Sequence, residues 1–241
     1  MRNVYVCRPH QMSAGLWKPF TWLPSNDSLM KWDDEDVPPV LRDDFDSIIT
    51  SLPAGIPAGF NLEPMSVTRH TAYKYLNYFN HPDEATAIFK SVCDRISLIR
   101  PDLDYCFYTL PQGAHYVTKD ISYAVKVAER ETAYAKATKD TLPTAAISGY
   151  WKDWKTPGTY EIWKRRMDYA IAMASTVHDK PLRAFVWDTG RGWKQPMPYE
   201  KFTKVLRYFA RRDIDVVYWS FEYPVAWRTQ LALWQYATGV L

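Results

Sequence analysis

Two carboxylates that follow apolar runs are the side chains of this sequence best suited to acid–base chemistry. Asn61 and Glu63 end a run that begins at Ala58, and Glu222 ends a run that begins at Asp215. Residues i and i+2 of a strand point to the same face, so Asn61 and Glu63 should share one face. Partial burial raises a carboxyl pKa, as a general acid requires. The pattern therefore predicts Glu63 as a proton donor.

A second carboxylate is expected near Glu63 if the chemistry is glycoside hydrolysis. That reaction typically uses two carboxyl groups, about 5 Å apart for retention of configuration and farther apart for inversion. Glu222 in YWSFEYP and Asp188 in FVWDTGRGW are the candidates. All three carboxylates also have a structural alternative. Glu222 could be a solvated loop residue, Asp188 could cap a turn, and Glu63 could pair with an arginine. A substrate N-acetyl group could also replace the protein nucleophile.

Aromatic and polar residues lie at the ends of all six apolar runs. Sugar rings stack their C–H faces on aromatic side chains, while their hydroxyls bond to carboxylates and amides. A rim of such residues therefore predicts a carbohydrate substrate. The predicted substrate-binding residues are Arg8, His10, Asn61, Tyr108, Tyr150, Trp151, Trp187 and Trp219.

Six short apolar runs separated by helix-like stretches would position these residues. The runs are rich in Val, Ile, Phe, Tyr and Trp and are too short for helices. They predict strands at 3–7, 58–63, 105–110, 145–151, 182–188 and 215–222. Apolar periodicity predicts helices at 42–52, 82–100, 119–139, 159–178, 198–212 and 226–238.

This alternation favours a parallel sheet with helical crossovers. We expect one α/β domain over 1–241, a (β/α) TIM-like barrel that is small or incomplete, because six strands are fewer than eight. A doubly wound open sheet is the alternative. Residues 11–41 show no clear periodicity and predict a long, aromatic-rich loop at the end where barrel enzymes build their sites. Trp17, Trp22 or Trp32 would form one wall of the site.

Composition excludes several function classes. The chain has 241 residues, of which 47% are hydrophobic and 24% charged, enough to form a globular core. A net charge of +3, spread along the chain, predicts no nucleic-acid partner. Cys7, Cys93 and Cys106 lack CxxC spacing, which predicts buried free thiols. The sequence has no HExxH, GxSxG, GxGxxG or P-loop motif, so we expect neither a metal nor a cofactor.

The sequence also bears on membrane association and on the cellular compartment. No run approaches the roughly 20 apolar residues that cross a bilayer, so no membrane partner is expected. The first residues, MRNVYVCRPHQ, are too short an apolar run for a signal peptide. We expect a soluble protein, either cytoplasmic or secreted with its leader removed.

The order of these strand ends resembles hyaluronidase-like glycoside hydrolases. The matching stretches are IPAGFNLEP, LDYCFYTLP, PTAAISGYW, PLRAFVWD and IDVVYWSFE, which together extend from Ile56 to Glu222. The resemblance implies a barrel in which Glu63 is the proton donor. It also implies substrate-contacting roles for the residues at the later strand ends, Tyr108, Tyr150 and Trp219.

The resemblance departs from the family at one position. The family's acetamido-positioning Asp falls on Asn61, and an amide cannot support a charged oxazolinium intermediate. This departure raises the case for Glu222 as a nucleophile. NLEP is also similar to the Asn-Glu-Pro of retaining barrel glycosidases, although Leu62 separates the two residues, and that clan likewise places its nucleophile near the end of a late strand.

The sequence therefore predicts a glycoside hydrolase, endo-acting on a β-linked polysaccharide or oligosaccharide. A non-catalytic carbohydrate-binding barrel is the alternative, and Asn61 is the residue that favours it. A structural or assembly protein with an aromatic contact face is a third, weaker interpretation.

Overall fold

The computed structural model describes residues 2–7, 17–23, 29–31, 39–61, 81–108, 121–151, 154–188, 196–219 and 225–241. Strands and helices alternate along most of these ranges. The strands are β1 (Val4–Val6), β2 (Trp17–Pro19), β3 (Thr21–Leu23), β4 (Met30–Lys31), β5 (Val40–Leu41), β6 (Ala58–Phe60), β7 (Tyr105–Phe107), β8 (Ala145–Ser148), β9 (Leu182–Val186) and β10 (Asp215–Tyr218). The helices are α1 (Phe45–Thr50), α2 (Pro82–Ile99), α3 (Ile121–Ala137), α4 (Thr159–Met173), α5 (Tyr199–Ala210) and α6 (Trp227–Thr238), and a π-helical turn at Ala174–His178 extends α4.

Eight of these strands form two parallel sheets. The larger has the order β2-β1-β10-β9-β8 and the smaller the order β3-β6-β7, while β4 and β5 form a separate antiparallel pair. Parallel strands joined by helical crossovers are the α/β architecture that the alternation predicted, and this expectation is confirmed.

The two sheets are joined through the segment from β2 to β3. The amide of Phe20 donates to Val6 O in the larger sheet (3.1 Å), and the next amide, Thr21, donates to Pro57 O beside the smaller sheet (2.9 Å). The chain therefore changes sheets between two consecutive residues.

Side chains connect the other pair of sheet edges, β7 and β8. The Tyr108 hydroxyl lies 3.1 Å from Ser148 Oγ, and Thr144 Oγ1 donates to Asp104 Oδ1 at 2.8 Å. Within the described ranges these two strands share no backbone ladder.

Three hydrophobic clusters show which side of each strand is covered. One packs the larger sheet against α4, α5 and α6, and a second packs the smaller sheet against α1, α2 and Tyr134 of α3. The third contains residues of both sheets, including Tyr5, Phe20, Cys106 and Phe185. The helices thus cover the outer faces of the two sheets, and the inner faces meet across an aromatic interior.

The six predicted strands and six predicted helices are all present, with shorter bounds. The prediction that 11–41 is one long loop was wrong for the part described, because β2 and β3 lie within it. Its alternation is hidden because both faces carry apolar residues: Phe20 and Trp22 face the interior, and Trp17 and Leu23 pack against the helix-side clusters. Cys93 and Cys106 are buried free thiols, while Cys7 is half-buried. The expectation of a single domain stays a prediction.

Gly59 of β6 lies against the rings that fill the interior. A Cβ atom at this position would lie 2.6 Å from the Phe20 ring and 2.8 Å from the Trp22 ring. Both rings belong to the segment that joins the two sheets, so only a residue without a side chain lets that segment approach β6.

We therefore expect Gly59→Ala to lower the free energy of unfolding by about 1–3 kcal/mol, the usual cost of overpacking. Urea denaturation followed by far-UV circular dichroism would measure the change. Ser47→Ala, at an exposed position of α1, is the control and should stay within about 0.5 kcal/mol. Equal stability of Gly59→Ala and wild type would contradict the close approach.

A buried ionic trio ties α3 to the π-helical turn. Glu131 Oε1 accepts from the Arg130 guanidinium (Nη2 at 2.5 Å), and Glu131 Oε2 lies 3.1 Å from His178 Nε2. All three side chains are buried. Burial alone would raise the pKa of Glu131, but Arg130 and His178 outweigh it and the pKa is lowered. The trio depends on an ionised Glu131.

Glu131→Gln should lower the free energy of unfolding by about 3–5 kcal/mol at neutral pH, because it leaves a buried guanidinium without its counter-charge. A carboxyl group whose pKa is lower in the folded than in the unfolded state stabilises the folded protein. This stabilisation is complete above the unfolded-state pKa of about 4.3, and it is lost as the pH falls through the folded-state pKa. The difference in the free energy of unfolding between wild type and Glu131→Gln should therefore become smaller below about pH 4. Denaturant melts between pH 7 and pH 3 would show it, with exposed Glu129→Gln of the same helix as control. A gap independent of pH would contradict the ionised trio.

Candidate functional site

Five aromatic residues at the carboxyl ends of the parallel strands form one contiguous surface, here called the aromatic floor. Its members are Trp22, Tyr108, Tyr150, Trp187 and Trp219. The Trp219 ring centroid lies 5.3 Å from that of Trp22 and 5.6 Å from that of Trp187. Tyr108 contacts Trp187 edge-on at 5.6 Å, and Tyr150 contacts it at 4.9 Å.

Strand alternation brings these rings together. Phe185 and Trp187 are two residues apart and both lie in the inner cluster, whereas Val186 between them packs against the helices. Trp219 lies in the inner cluster in the same way, while its neighbour Tyr218 packs outward. Four floor residues were predicted as substrate-binding residues, and the structure places all four together.

Asn61 lies next to the floor, directly after β6. Its backbone N–H donates to Leu23 O at 3.2 Å, and its side chain is half-buried. Alternation puts it on the same face as Gly59, which faces the interior. The inward orientation of the Asn61 side chain stays a prediction.

Asp188 lies on the opposite side of its strand from the floor. Its side chain is 3% exposed, and Oδ2 accepts a hydrogen bond from Thr229 Oγ1 of α6 at 2.8 Å. Its backbone oxygen accepts from the Met197 amide. Asp188 therefore joins the end of β9 to α6 and to the residues that lead into α5.

Trp151 is also turned away from the floor. Its indole packs among the helices beside Tyr160 (ring centroids 5.2 Å apart) and Trp163 of α4. The indole N–H donates to Thr159 Oγ1 at 3.1 Å. The structure thus brings Tyr150, but not Trp151, to the inner surface.

The remaining predicted site residues, Glu63, Glu222, Arg8 and His10, lie outside the described residues, and so does Trp32. Glu63 is two residues beyond Asn61 in sequence, and Glu222 is three residues beyond Trp219. Their roles stay predictions.

Sequence reasoning placed Trp22 in a loop wall and did not consider Cys7 for the site. Both lie in or against the inner cluster. The signal was the spacing of Phe20 and Trp22, two aromatic residues separated by one position in a segment that was interpreted as a loop.

The floor carries buried hydrogen-bond donors. The indole N–H groups of Trp22 and Trp187 are buried, and neither finds an acceptor within the described part of the chain. Buried polar groups are nearly always paired with protein, water or a ligand. The floor therefore combines contacting aromatic rings, of which Trp187 is 4% exposed, with buried N–H donors.

The described ranges contain no cluster of three His, Cys, Asp or Glu side chains arranged to hold a metal ion. They also contain no helix with the length and apolar character needed to cross a bilayer.

Comparison with known proteins gives a structural match. No protein-family model and no curated protein matches the sequence. The crystal structure of bee venom hyaluronidase in its monoclinic form matches with a TM-score of 0.64 and 10% sequence identity, covering 98% of this chain and 97% of that chain. Bee venom hyaluronidase in complex with a hyaluronic acid tetramer matches with a TM-score of 0.60 and 12% identity, covering 91% and 90%. The chain is similar to these proteins in fold.

Asp188→Ala should lower the free energy of unfolding by about 1–3 kcal/mol, since it leaves a buried hydroxyl on Thr229 without its acceptor. Asp188→Asn should cost less, because its amide oxygen can still accept that bond. Urea melts would compare both variants with exposed Asp140→Ala, expected within about 0.5 kcal/mol of wild type. An Asp188→Ala protein as stable as wild type would mean that the carboxylate does not anchor the strand end.

Proposed function

We propose that this protein is a glycoside hydrolase of the (β/α)-barrel type that cleaves a β-linked polysaccharide or oligosaccharide within the chain. The observation that carries the proposal is the aromatic floor at the carboxyl ends of the parallel strands, the end at which barrel enzymes bind their substrates. The fold likeness to bee venom hyaluronidase supports the same class, because one of the matching structures holds a hyaluronic acid tetramer.

In this proposal Glu63 is the proton donor. It follows Asn61 by two residues, so a strand direction continued past Phe60 would place both side chains on the inner face. Its carboxyl group would protonate the glycosidic oxygen as the bond to the anomeric carbon breaks.

Glu222 is the proposed nucleophile. Its carboxylate would attack the anomeric carbon to form a glycosyl ester, and a water deprotonated by Glu63 would then release the sugar and restore both side chains. Asp188, the other candidate, is a weaker choice because its carboxylate is buried on the helix side and bonded to Thr229.

The floor and Asn61 would bind and orient the sugar. Tyr108, Tyr150 and Trp219, each in contact with the buried Trp187 ring, would offer ring faces and edges to the sugar. Arg8 and His10, which follow β1, are proposed to contact the substrate from that strand.

A non-catalytic carbohydrate-binding barrel is the second candidate, and Asn61 is the observation that favours it. The hyaluronidase-like pattern has an acid at this position, and an amide cannot stabilise a positively charged intermediate. Such a protein would keep the floor and lack turnover.

Reducing-end release from a panel of β-linked polysaccharides would test the proposal, with wild type, Glu63→Gln and Glu222→Gln assayed side by side. Wild type should release reducing ends, and Glu63→Gln should reduce the rate at least about a hundredfold, the size of a general-acid effect. Calorimetric titration with the same polysaccharide should show that Glu63→Gln still binds it. Glu129→Gln, an exposed carboxylate of α3, is the matched control and should leave the rate unchanged.

Each contrary outcome identifies a different error. Equal rates for wild type and Glu63→Gln would overturn the assignment of the acid. Loss of activity in Glu63→Gln but not in Glu222→Gln would overturn the assigned nucleophile. Polysaccharide binding by wild type without hydrolysis would replace the proposal with the non-catalytic barrel.

A further inference from the structure

The outward side of α6 is formed mainly by large apolar residues. Four of its twelve residues are exposed, and three of them are Trp227, Leu231 and Trp234. Trp227 is 68% exposed, Trp234 44% and Leu231 37%. Residues at i, i+4 and i+7 share one face of a helix, so these three form a line, here called the α6 stripe. The opposite face, with Leu233 and Tyr236, packs in the core.

The fourth exposed residue of α6 is a cation. The Arg228 guanidinium lies over the Trp227 ring, 5.4 Å from its centroid, and α6 contains no acidic residue. A surface helix normally directs polar side chains outward, and neighbouring exposed apolar residues mark interaction surfaces. The α6 stripe therefore indicates a contact surface with positive charge beside it.

The adjacent helix, α5, adds a line of cations. The two helices lie side by side, and the Tyr199 hydroxyl of α5 donates to Gln235 Oε1 of α6 at 2.5 Å. Lys204, Arg207 and Arg211, the last directly after α5, follow one another at i, i+3 and i+7, and all three are exposed. They are here called the cation stripe. Both helices cover the outer face of the larger sheet, so both stripes lie on the outside of the same layer.

Positive charge predominates over this two-helix surface. The acids of α5, of the turn 211–213 and of α6 are Glu200 and Asp213, and Asp213 lies 3.5 Å from Arg2. Arg212 is paired with Asp168 of α4. Three cations and two acids on α4 leave the excess in place. The cation stripe and Arg228 form no ion pair within the described residues. The same segments carry six cations: Lys201, Lys204, Arg207, Arg211, Arg212 and Arg228.

We propose that this two-helix surface binds to the surface of an anionic lipid bilayer. The α6 stripe would enter the headgroup region, where tryptophan is enriched because its ring is apolar and its N–H is polar. Arg228 and the cation stripe would pair with anionic headgroups. The protein would lie on the bilayer without spanning it, and such contact needs no long apolar run in the sequence.

The arrangement of the two stripes favours a lipid surface over other anionic partners. The apolar side chains lie on α6, and three of the four exposed cations without an ion pair lie on or next to α5. Apolar and charged contacts are thus side by side, as at the boundary between acyl chains and headgroups. A polyanionic strand is bound instead by cations and rings that alternate along a groove. A second copy would bring two cationic surfaces together, and their repulsion opposes that contact.

Flotation of the complete chain with lipid vesicles would test the proposal. Vesicles of equal parts phosphatidylcholine and phosphatidylglycerol should carry the protein upward in a density gradient, and vesicles of phosphatidylcholine alone should bind at least about tenfold more weakly. Salt at about 0.5 M should weaken the binding, because it screens exposed charges.

Paired variants would separate the two contributions. The double variant Trp227→Ser, Trp234→Ser should bind the anionic vesicles at least about tenfold more weakly, because it removes two large apolar groups from the contact. The double variant Arg207→Gln, Arg211→Gln should lose about tenfold or more through its charges. Exposed Leu98→Ser on α2 is the matched apolar control and should bind like wild type.

Several results would overturn the proposal. They are the absence of flotation with the anionic vesicles, equal binding to both kinds of vesicle, and unchanged binding of the tryptophan double variant. Binding of dextran sulfate but not of vesicles, lost in that variant, would assign the surface to a polyanion. A dimer in sedimentation equilibrium that the same variant abolishes would assign it to a second copy. Thermal melts would verify that the variants fold, and no readout depends on hydrolysis of a polysaccharide.

Discussion

The close contact of Gly59 with the rings of Phe20 and Trp22 is the constraint on which the interior depends. The segment that carries those two rings is hydrogen-bonded to both sheets, so its distance from β6 sets how the sheets face each other. A side chain at position 59 would push the rings away from β6. The aromatic floor includes Trp22 and is built at the end of the same segment.

Charge and aromaticity are separated along the strand axis. The amino-terminal end holds the buried Arg183 paired with the half-buried Asp104, while the carboxyl end holds the five rings of the floor. The helix layer has its own buried ionic trio around Glu131. The charged groups in these ion pairs have fixed partners, whereas the buried indole N–H groups of Trp22 and Trp187 have no acceptor among the described residues. This asymmetry distinguishes the two ends of the strands chemically.

Sequence reasoning located elements better than it located side-chain directions. The six strands outside 11–41 were recognisable because each is a short apolar run between periodic helices. Successive residues of a strand point to opposite faces, so only one of two neighbours at a strand end can face the site. The prediction nevertheless included both neighbours at two strand ends, Trp151 with Tyr150 and Asp188 with Trp187. Counting by two from Phe185 would have put Trp187 inside and Asp188 outside. The β2–β3 segment was missed because apolar residues lie on both of its faces, Phe20 and Trp22 inside and Trp17 and Leu23 on the helix side. The π-helical turn has no sequence signature.

The three indoles of the floor have a consequence for spectroscopy. Trp219 lies 5.3 Å from Trp22 and 5.6 Å from Trp187, measured between ring centroids. Indoles at this separation couple their electronic transitions. This coupling produces an exciton couplet in circular dichroism whose sign and size depend on the angles between the rings. The protein thus carries an intrinsic optical reporter at the point where the two sheets meet.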